Sequence, residues 1–116
     1  MFVSKESFLA ISATGPEQVE IPDVGTVYVR GMSAGERDAF GGASLKNPHT
    51  NFSARLAAAS VCDEQGVLIF GPDDVVGLSA RPCYILDPIT KAALRLNKMR
   101  EEDVEDIRKN SESGTS

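Results

Sequence analysis

The sequence is poor in the residues that build metal and catalytic centres, with one histidine and two cysteines among 116 residues. His49 has no cysteine or second histidine at ligand spacing, so an exposed loop histidine is a better interpretation than zinc binding. Cys62 is followed by Asp63 and Glu64, acids that oppose thiolate formation, which favours packing over nucleophilic catalysis. Cys62 and Cys83 are expected to be reduced and partly buried, and the sequence leaves a disulfide between them open.

Positive charge and long apolar runs are also scarce. The chain has 12 lysines and arginines against 17 acidic residues, a net charge of -5, so it lacks the basic surface that neutralises nucleic acid phosphates. No apolar run approaches the roughly 20 residues of a membrane-spanning helix. The start, MFVSKESFLAIS, has no basic segment followed by a long apolar one. We expect no nucleic acid or membrane partner, and a soluble protein that stays where it is made.

Hydrophobic residues make up 41% of the chain, which at this length is enough for one compact core and too little for a second. We expect a single domain over residues 1–110. Residues 111–116, SESGTS, are small and polar and are expected to be a disordered tail.

The N-terminal part of the chain predicts a β-hairpin. Apolar residues alternate with polar ones over residues 19–21 and 27–29, on either side of the turn sequence Pro22-Asp23-Val24-Gly25. Residues 4–11 place Phe8, Leu9 and Ile11 behind a polar start, which is consistent with a short helix or a loosely docked arm.

A helix start is clearly signalled at Ser33. Ser33-x-x-Glu36 is a capping box, in which each side chain accepts a hydrogen bond from the other residue's backbone N–H. Gly41-Gly42 is expected to end this helix, and residues 43–50 are expected to form an exposed mobile loop.

Small residues then recur at helical spacing behind Asn51 or Ser53, either of which can cap a helix. Their size permits close approach to a neighbouring helix or sheet, and Arg55 is expected to point outward. The polar turn Asp63-Glu64-Gln65-Gly66 predicts a positive φ at Gly66 and leads into a strand or extended edge segment over residues 67–70. The small or apolar positions are Ala54, Ala57, Ala58 and Val61.

Two further helices are predicted in the second half of the chain. Asp73 and Asp74 are acids in the first turn of a short helix, an ordinary position that explains the pair better than acid–base chemistry does. Ser79 is expected to cap a longer amphipathic helix, which Pro88 kinks or breaks, or which starts afresh at Asp87.

The end of that long helix is predicted at Asn97, in a left-handed conformation, and residues 101–109 are expected to form a final acidic helix. Together the elements predict an α+β, mostly α-helical fold, with a small N-terminal β-hairpin and a C-terminal helical bundle. The glycine pairs do not match a phosphate-binding loop, and no cofactor is expected.

Recognition of another protein is the remaining functional hypothesis. A basic strip follows the long helix and its exit beside the acidic residues 101–106, with Leu94 or Met99 exposed between the charges. The strip consists of Arg81, Lys91, Arg95, Lys98 and Arg100. A solvated charged face is the simpler interpretation. The functional one is that Arg81, Leu94, Arg95, Lys98 and Met99 bind a helical partner or another copy of the chain.

The order of these features resembles the tail assembly chaperones of long-tailed bacteriophages and related prophages. The matching motifs are a strand ending in Val29-Arg30, a Ser-x-x-Glu-Arg-Asp helix start at Ser33, and an Arg55-Leu56 helix leading into an Asp-x-x-Gly hairpin that ends in Phe70. Two further motifs follow: a helix end at Leu96-Asn97, and the sequence Lys109-Asn110-Ser111 after the acidic segment. The resemblance lies in three segments: TVYVRGMSAGERDAF, ARLAAASVCDEQGVLIF and ALRLNKMREEDVEDIRKNSE.

This resemblance implies a non-catalytic protein of the bacterial host cytoplasm that is absent from the mature virion. It implies binding to the tape measure protein, self-association into a homo-oligomer, and recruitment of tail tube subunits through a longer, frameshifted form. One alternative is a structural virion subunit, such as a head–tail connector or minor tail protein. A small cysteine-dependent enzyme is a second alternative, and it predicts rapid alkylation of Cys62 or Cys83.

Overall fold

Short helices and a small antiparallel sheet follow one another along the chain, of which the computed structural model describes residues 2–12, 15–46 and 51–99. A 3-10 turn at Pro72–Asp74 leads directly into the fourth α-helix. The elements are α1 (Lys5–Leu9), β1 (Glu17–Ile21), β2 (Gly25–Val29), α2 (Ala34–Lys46), α3 (Phe52–Ser60), β3 (Val61–Cys62), α4 (Val75–Ser79) and α5 (Cys83–Leu96).

The predicted hairpin is confirmed, and it belongs to a sheet with strand order β1-β2-β3. Asp23 at φ 64° and Gly25 at φ 140° make the turn between β1 and β2. Val61, expected on a helix, instead opens β3 and pairs with Val29. A single bridge between Cys62 and Leu68 adds the following segment to the sheet edge, as an extended segment rather than a full strand.

The capping box is confirmed at the start of α2. The Ser33 N–H donates to Glu36 Oε1 at 2.8 Å, and the Glu36 N–H donates to Ser33 Oγ at 3.1 Å. The predicted stop at Gly41-Gly42 is wrong, because α2 continues to Lys46. Each glycine costs a helix about 1 kcal/mol relative to alanine, which weakens a helix without ending it.

The stronger stop signal lies beyond the glycines. Pro48 follows two residues after Lys46, and a residue before proline disfavours the helical conformation. The mobile loop expected over residues 43–50 is therefore wrong for residues 43–46, which are helical. His49 and the rest of that expected loop lie outside the described residues.

The buried core is centred on α3. Leu56 and Ala57 are completely buried, on a helix that packs against α5, α4 and α2. Ala57 and Ala93, both 0% exposed, allow α3 and α5 to approach closely, as the small-residue pattern predicts. The sheet contributes Val29 and Val61 to the same core.

The long helix α5 starts and runs differently from the prediction. It begins at Cys83 after Pro82, whereas Ser79 ends α4. It continues through Pro88 without the expected break or restart at Asp87. A proline inside a helix costs about 3 kcal/mol, whereas burying each leucine or isoleucine of the core-facing side contributes about 1.5–3 kcal/mol. That side contains Leu86, Ile89, Ala92, Ala93 and Leu96, all buried.

At the end of α5 the left-handed residue is Lys98, at φ 54°, and not Asn97 as predicted. Asn97 has a different role, because its Oδ1 accepts from the Met32 N–H at 2.7 Å and its Nδ2 donates to the Ala93 carbonyl at 2.7 Å. This side chain joins the end of α5 to the chain just before α2. The predicted acidic helix over residues 101–109 and the tail over 111–116 lie outside the described residues.

The architecture agrees with the predicted fold class, a mostly α-helical α+β fold with a small N-terminal sheet and C-terminal helices. Among the described residues, none of the helices has the length and apolar character that crossing a membrane requires.

Candidate partner-binding groove

An open apolar groove of about 590 Å³ lies between α2, α3 and the chain from Leu68 to Val76. Its size is in the range of specific binding sites, and its lining is mostly apolar. Its apolar lining includes Phe40, Ala59, Leu68, Phe70, Val75 and Val76.

One wall of the groove is held in place by two acidic side chains acting as caps. Asp63 Oδ1 accepts from the N–H groups of Gln65 and Val67, at 2.9 and 3.0 Å, and so fixes the turn before the wall. Gly66 has φ 84°, the predicted positive value. Asp74 Oδ2 accepts from the Gly71 N–H at 2.8 Å and starts the 3-10 turn. Asp74 therefore has the structural role that its position predicts.

The opposite side of the groove is anchored by an ion pair between the sheet and α2. Arg30 donates from Nη1 and Nη2 to the two carboxylate oxygens of Glu36, at 2.9 and 2.8 Å. The Arg30 guanidinium, with help from the Ser33 N–H, lowers the pKa of Glu36 to about 2. Glu36 thus combines the capping box with a bidentate pair, which is the stronger geometry for such contacts.

Replacing Glu36 with glutamine is expected to remove most of the acid sensitivity that this pair causes. Because the folded-state pKa is depressed, the ionised carboxylate stabilises the fold above about pH 5, and this contribution is lost as pH falls toward about 2. Glu36 is about one-third exposed, so solvent screening limits the contribution to about 1–2 kcal/mol. Glutamine still completes a capping box, so the change isolates the charge.

The measurement is urea unfolding of the wild type and Glu36→Gln between pH 7 and pH 2. The two stability curves are expected to converge at low pH, with the wild type more stable at pH 7. Glu20→Gln, an exposed change on β1, is the matched control and should follow the wild type. Parallel curves for the wild type and Glu36→Gln would contradict the assignment.

Phe40, which lines the groove, belongs to an aromatic pair and lies beside Arg55, a cation that also lines the groove. Phe40 and Phe52 meet edge to face, with ring centroids 5.6 Å apart. The Arg55 guanidinium lies over the Phe40 ring at 5.5 Å from its centroid. Arg55 was expected to point outward, but it is half-buried, and this burial lowers its pKa. Its place beside apolar residues offers a cation–π contact that a sequence pattern does not reveal.

The basic strip predicted from the sequence is only partly exposed. Arg81 is exposed before α5, and Lys98 is exposed after it. Arg95 donates to the Glu17 carboxylate, which ties α5 to β1 and lowers the pKa of Glu17. Leu94 is half-buried against the core, and Met99 is 5% exposed, so the expectation that Met99 lies exposed between the charges is wrong. Partner binding by these five residues stays a prediction.

The groove itself was missed by the sequence analysis. Its wall comes from Phe70, Val75 and Val76, which were assigned only to an edge segment and a short helix. The sequence does contain a sign of this surface. Residues 67–76 include more apolar side chains than the single buried face of an edge segment can bury. Val67, Ile69 and Val76 accordingly remain exposed.

The two cysteines differ in environment. Both are free; Cys62 is buried in β3, and burial raises the pKa of its thiol. The expectation that both are partly buried is wrong for Cys83, which is exposed at the first residue of α5. Within the described parts of the chain, no group of three or more histidine, cysteine, aspartate or glutamate side chains is placed to hold a metal ion.

In native protein near neutral pH, a maleimide is expected to label one thiol, that of Cys83, and to label Cys62 only after denaturant is added. Burial and the raised pKa both slow the reaction of Cys62. Mass spectrometry counts the added groups, and Cys83→Ser is the control that should show no labelling before unfolding. Labelling of Cys62 as fast as that of Cys83 would contradict this description.

Most of the chain matches a known protein family. Residues 3–100 match the model of the phage tail assembly chaperone family, TAC. The match includes α1, the whole sheet, the groove and α5. The searches of curated proteins and of solved structures gave no match. Because the match covers most of the 116 residues, the chain belongs to the phage tail assembly chaperone family.

Proposed function

We propose that this chain binds the tape measure protein during tail assembly and that the groove between α2, α3 and the segment 68–76 holds an apolar face of that partner. The family assignment supports a role in assembly of the tail. The tape measure protein is the partner that the sequence resemblance implies, and it is long and largely helical. Its apolar segments need cover until the tail tube forms around it.

The observation that carries the proposal is the apolar groove. A channel lined by Leu68, Phe70, Val75 and Val76 is exposed on one side, where an amphipathic helix can insert side chains at i, i+3 and i+4. Val76 is 73% exposed, so it is available to a partner without any rearrangement. Exposed apolar patches of this kind mark interaction sites, because removing apolar surface from water lowers the free energy of the complex.

The charged side chains outside the groove are proposed as a second contact. Arg81 and Lys98 are exposed at the two ends of α5, and Arg95 lies between them in a pair with Glu17. They supply orientation and faster association rather than most of the affinity. In this proposal the half-buried Leu94 and the buried Met99 belong to the same contact, which they support from inside.

The rest of the proposal follows the family. The chain acts without catalysis in the cytoplasm of the bacterial host, self-associates, and leaves before the virion is complete. Tail tube subunits are recruited through a longer form produced by frameshifting. Several copies on one tape measure protein would cover its successive apolar segments.

Co-expression with the tape measure protein encoded nearest to this chain tests the proposal. We expect the partner to be soluble only when this chain is present, and affinity capture with light scattering to give a complex with several copies of the chain. A partner that is equally insoluble with and without the chain would overturn the proposal. Stoichiometric amounts of the chain in purified particles, measured by mass spectrometry, would instead establish a structural virion subunit.

A further inference from the structure

The N-terminal arm, residues 2–12, has an apolar face that nothing in the described structure covers. Helix α1 has no buried residue, although it is properly capped by Ser4, whose Oγ accepts from the Ser7 N–H at 3.1 Å. Phe8 is 64% exposed and Leu9 is 72% exposed. The other exposed apolar residues of the arm are Phe2, Val3 and Ile11.

A short helix that exposes this much apolar surface is unfavourable in isolation. Isolated helices shorter than about 12–15 residues are marginal in water, so α1, with five residues, gains stability by packing on something. No residue of the arm lines the groove described above. Within the described parts of the chain, the arm and the groove are thus both apolar surfaces without cover.

The base of the arm lies beside the groove. Ser12, Gly15 and Pro16 line a cleft together with Arg30, and the Arg30 side chain in turn holds Glu36 on the groove's edge. Because this ion pair connects the base of the arm to the edge of the groove, a twofold axis near this point brings the base of each arm toward the groove of the other copy. Such reciprocal contacts are the geometry of a closed dimer.

We propose that the arm of one copy lies in the groove of a second copy, so that two chains exchange arms. The inference concerns where copies meet, and it rests on the self-association proposed above. The tape measure protein then competes with the arm for the same groove and displaces it.

The area available is sufficient for such a dimer. A buried phenylalanine covers about 150–250 Å², so Phe2 and Phe8 of two arms would bury about 600–1,000 Å². The groove surface that they cover roughly doubles this, to about 1,200–2,000 Å², which is the size of a specific protein interface. Leu9 and Ile11 add to that figure.

The first test is the mass of the chain in solution, without any partner. Light scattering at micromolar concentrations is expected to give twice the 12.4 kDa of one chain, and a variant lacking residues 2–12 is expected to give the mass of one. Phe8→Asp should weaken the dimer at least about tenfold. Val24→Asp, an exposed apolar residue at the hairpin turn, is the matched control and should leave the mass unchanged.

The second test identifies the contact. Ser7→Cys and Asp73→Cys are made in separate chains, each with Cys83→Ser, so that Cys62 is the only other thiol and is buried. Mixing the two with a short bismaleimide is expected to give a crosslinked pair, because Ser7 is close to Phe8 in the chain and the exposed Asp73 follows Pro72, which lines the groove. Each chain alone should give far less product.

Three results would overturn the inference: a wild type that is monomeric, a dimer that persists without residues 2–12, or no crosslink in the mixture. Rapid crosslinking within a single chain that carries both cysteines would place the arm in its own groove, and it would also refute arm exchange. The tape measure experiment is separate. A chain that solubilises its partner but fails these tests loses only the arm exchange, and a chain that passes them but does not solubilise the partner loses only the proposed function.

Discussion

Replacing Val76 with aspartate is expected to abolish solubilisation of the tape measure protein while leaving the chain folded. Val76 lines the groove and is 73% exposed, so a charge there does not enter the core. When a partner helix covers the groove, the carboxylate loses its hydration among mostly apolar side chains, and this desolvation is unfavourable. Loss of affinity by at least about tenfold is expected for such a change at the centre of an interface.

The measurement is the soluble fraction of the co-expressed tape measure protein, with circular dichroism of the variant as a check of folding. Val24→Asp makes the same exchange at another exposed valine, outside the groove, and should behave like the wild type. Equal solubilisation by wild type, Val76→Asp and Val24→Asp would show that the partner does not use this groove.

Replacing Leu56 with alanine is expected to cause the largest loss of stability. Leu56 is 0% exposed, at the centre of α3, the helix that packs against α4, α5 and α2. Removing a buried leucine side chain costs about 2–5 kcal/mol, from lost burial and from the cavity that remains. Since each kcal/mol corresponds to about 4–8 °C for a small domain, the melting temperature should fall by at least about 8 °C.

Leu9→Ala is the matched control, because it makes the same exchange on the exposed side of α1. It should change the free energy of unfolding by no more than about 0.5 kcal/mol in dilute protein, where the chain is monomeric. Calorimetry of Leu9→Ala and Leu56→Ala measures both losses of stability. Equal losses for Leu9→Ala and Leu56→Ala would mean that the arm is packed on its own domain, contrary to the structure.

Much of the fold could be predicted because its signals are local. The turn between β1 and β2, the capping box at Ser33 and the small residues of α3 each depend on a few neighbouring residues, and all three are confirmed. Two of the errors occurred where a local helix breaker was outweighed. Gly41-Gly42 and Pro88 lie inside helices in which the other residues make the helical conformation favourable overall.

The groove could not be predicted in the same way, because it is formed by three segments that are distant in sequence. Phe40 on α2, Ala59 on α3 and Val76 on α4 come together only after α3 packs into the core. The charged residues of α5 were easier to notice, since they follow one another along the chain. Burial of Met99 depends on how the chain leaves α5, which no periodicity encodes.

Hydrogen–deuterium exchange of the chain, alone and with the tape measure protein, tests the central claim most directly. Amide exchange slows where a partner covers a segment or stabilises it. The account predicts slower exchange over residues 68–76 and along α2 and α3, with a smaller change at the exposed ends of α5. Protection confined to α5 around Arg95, or no protection anywhere on the chain, would contradict it.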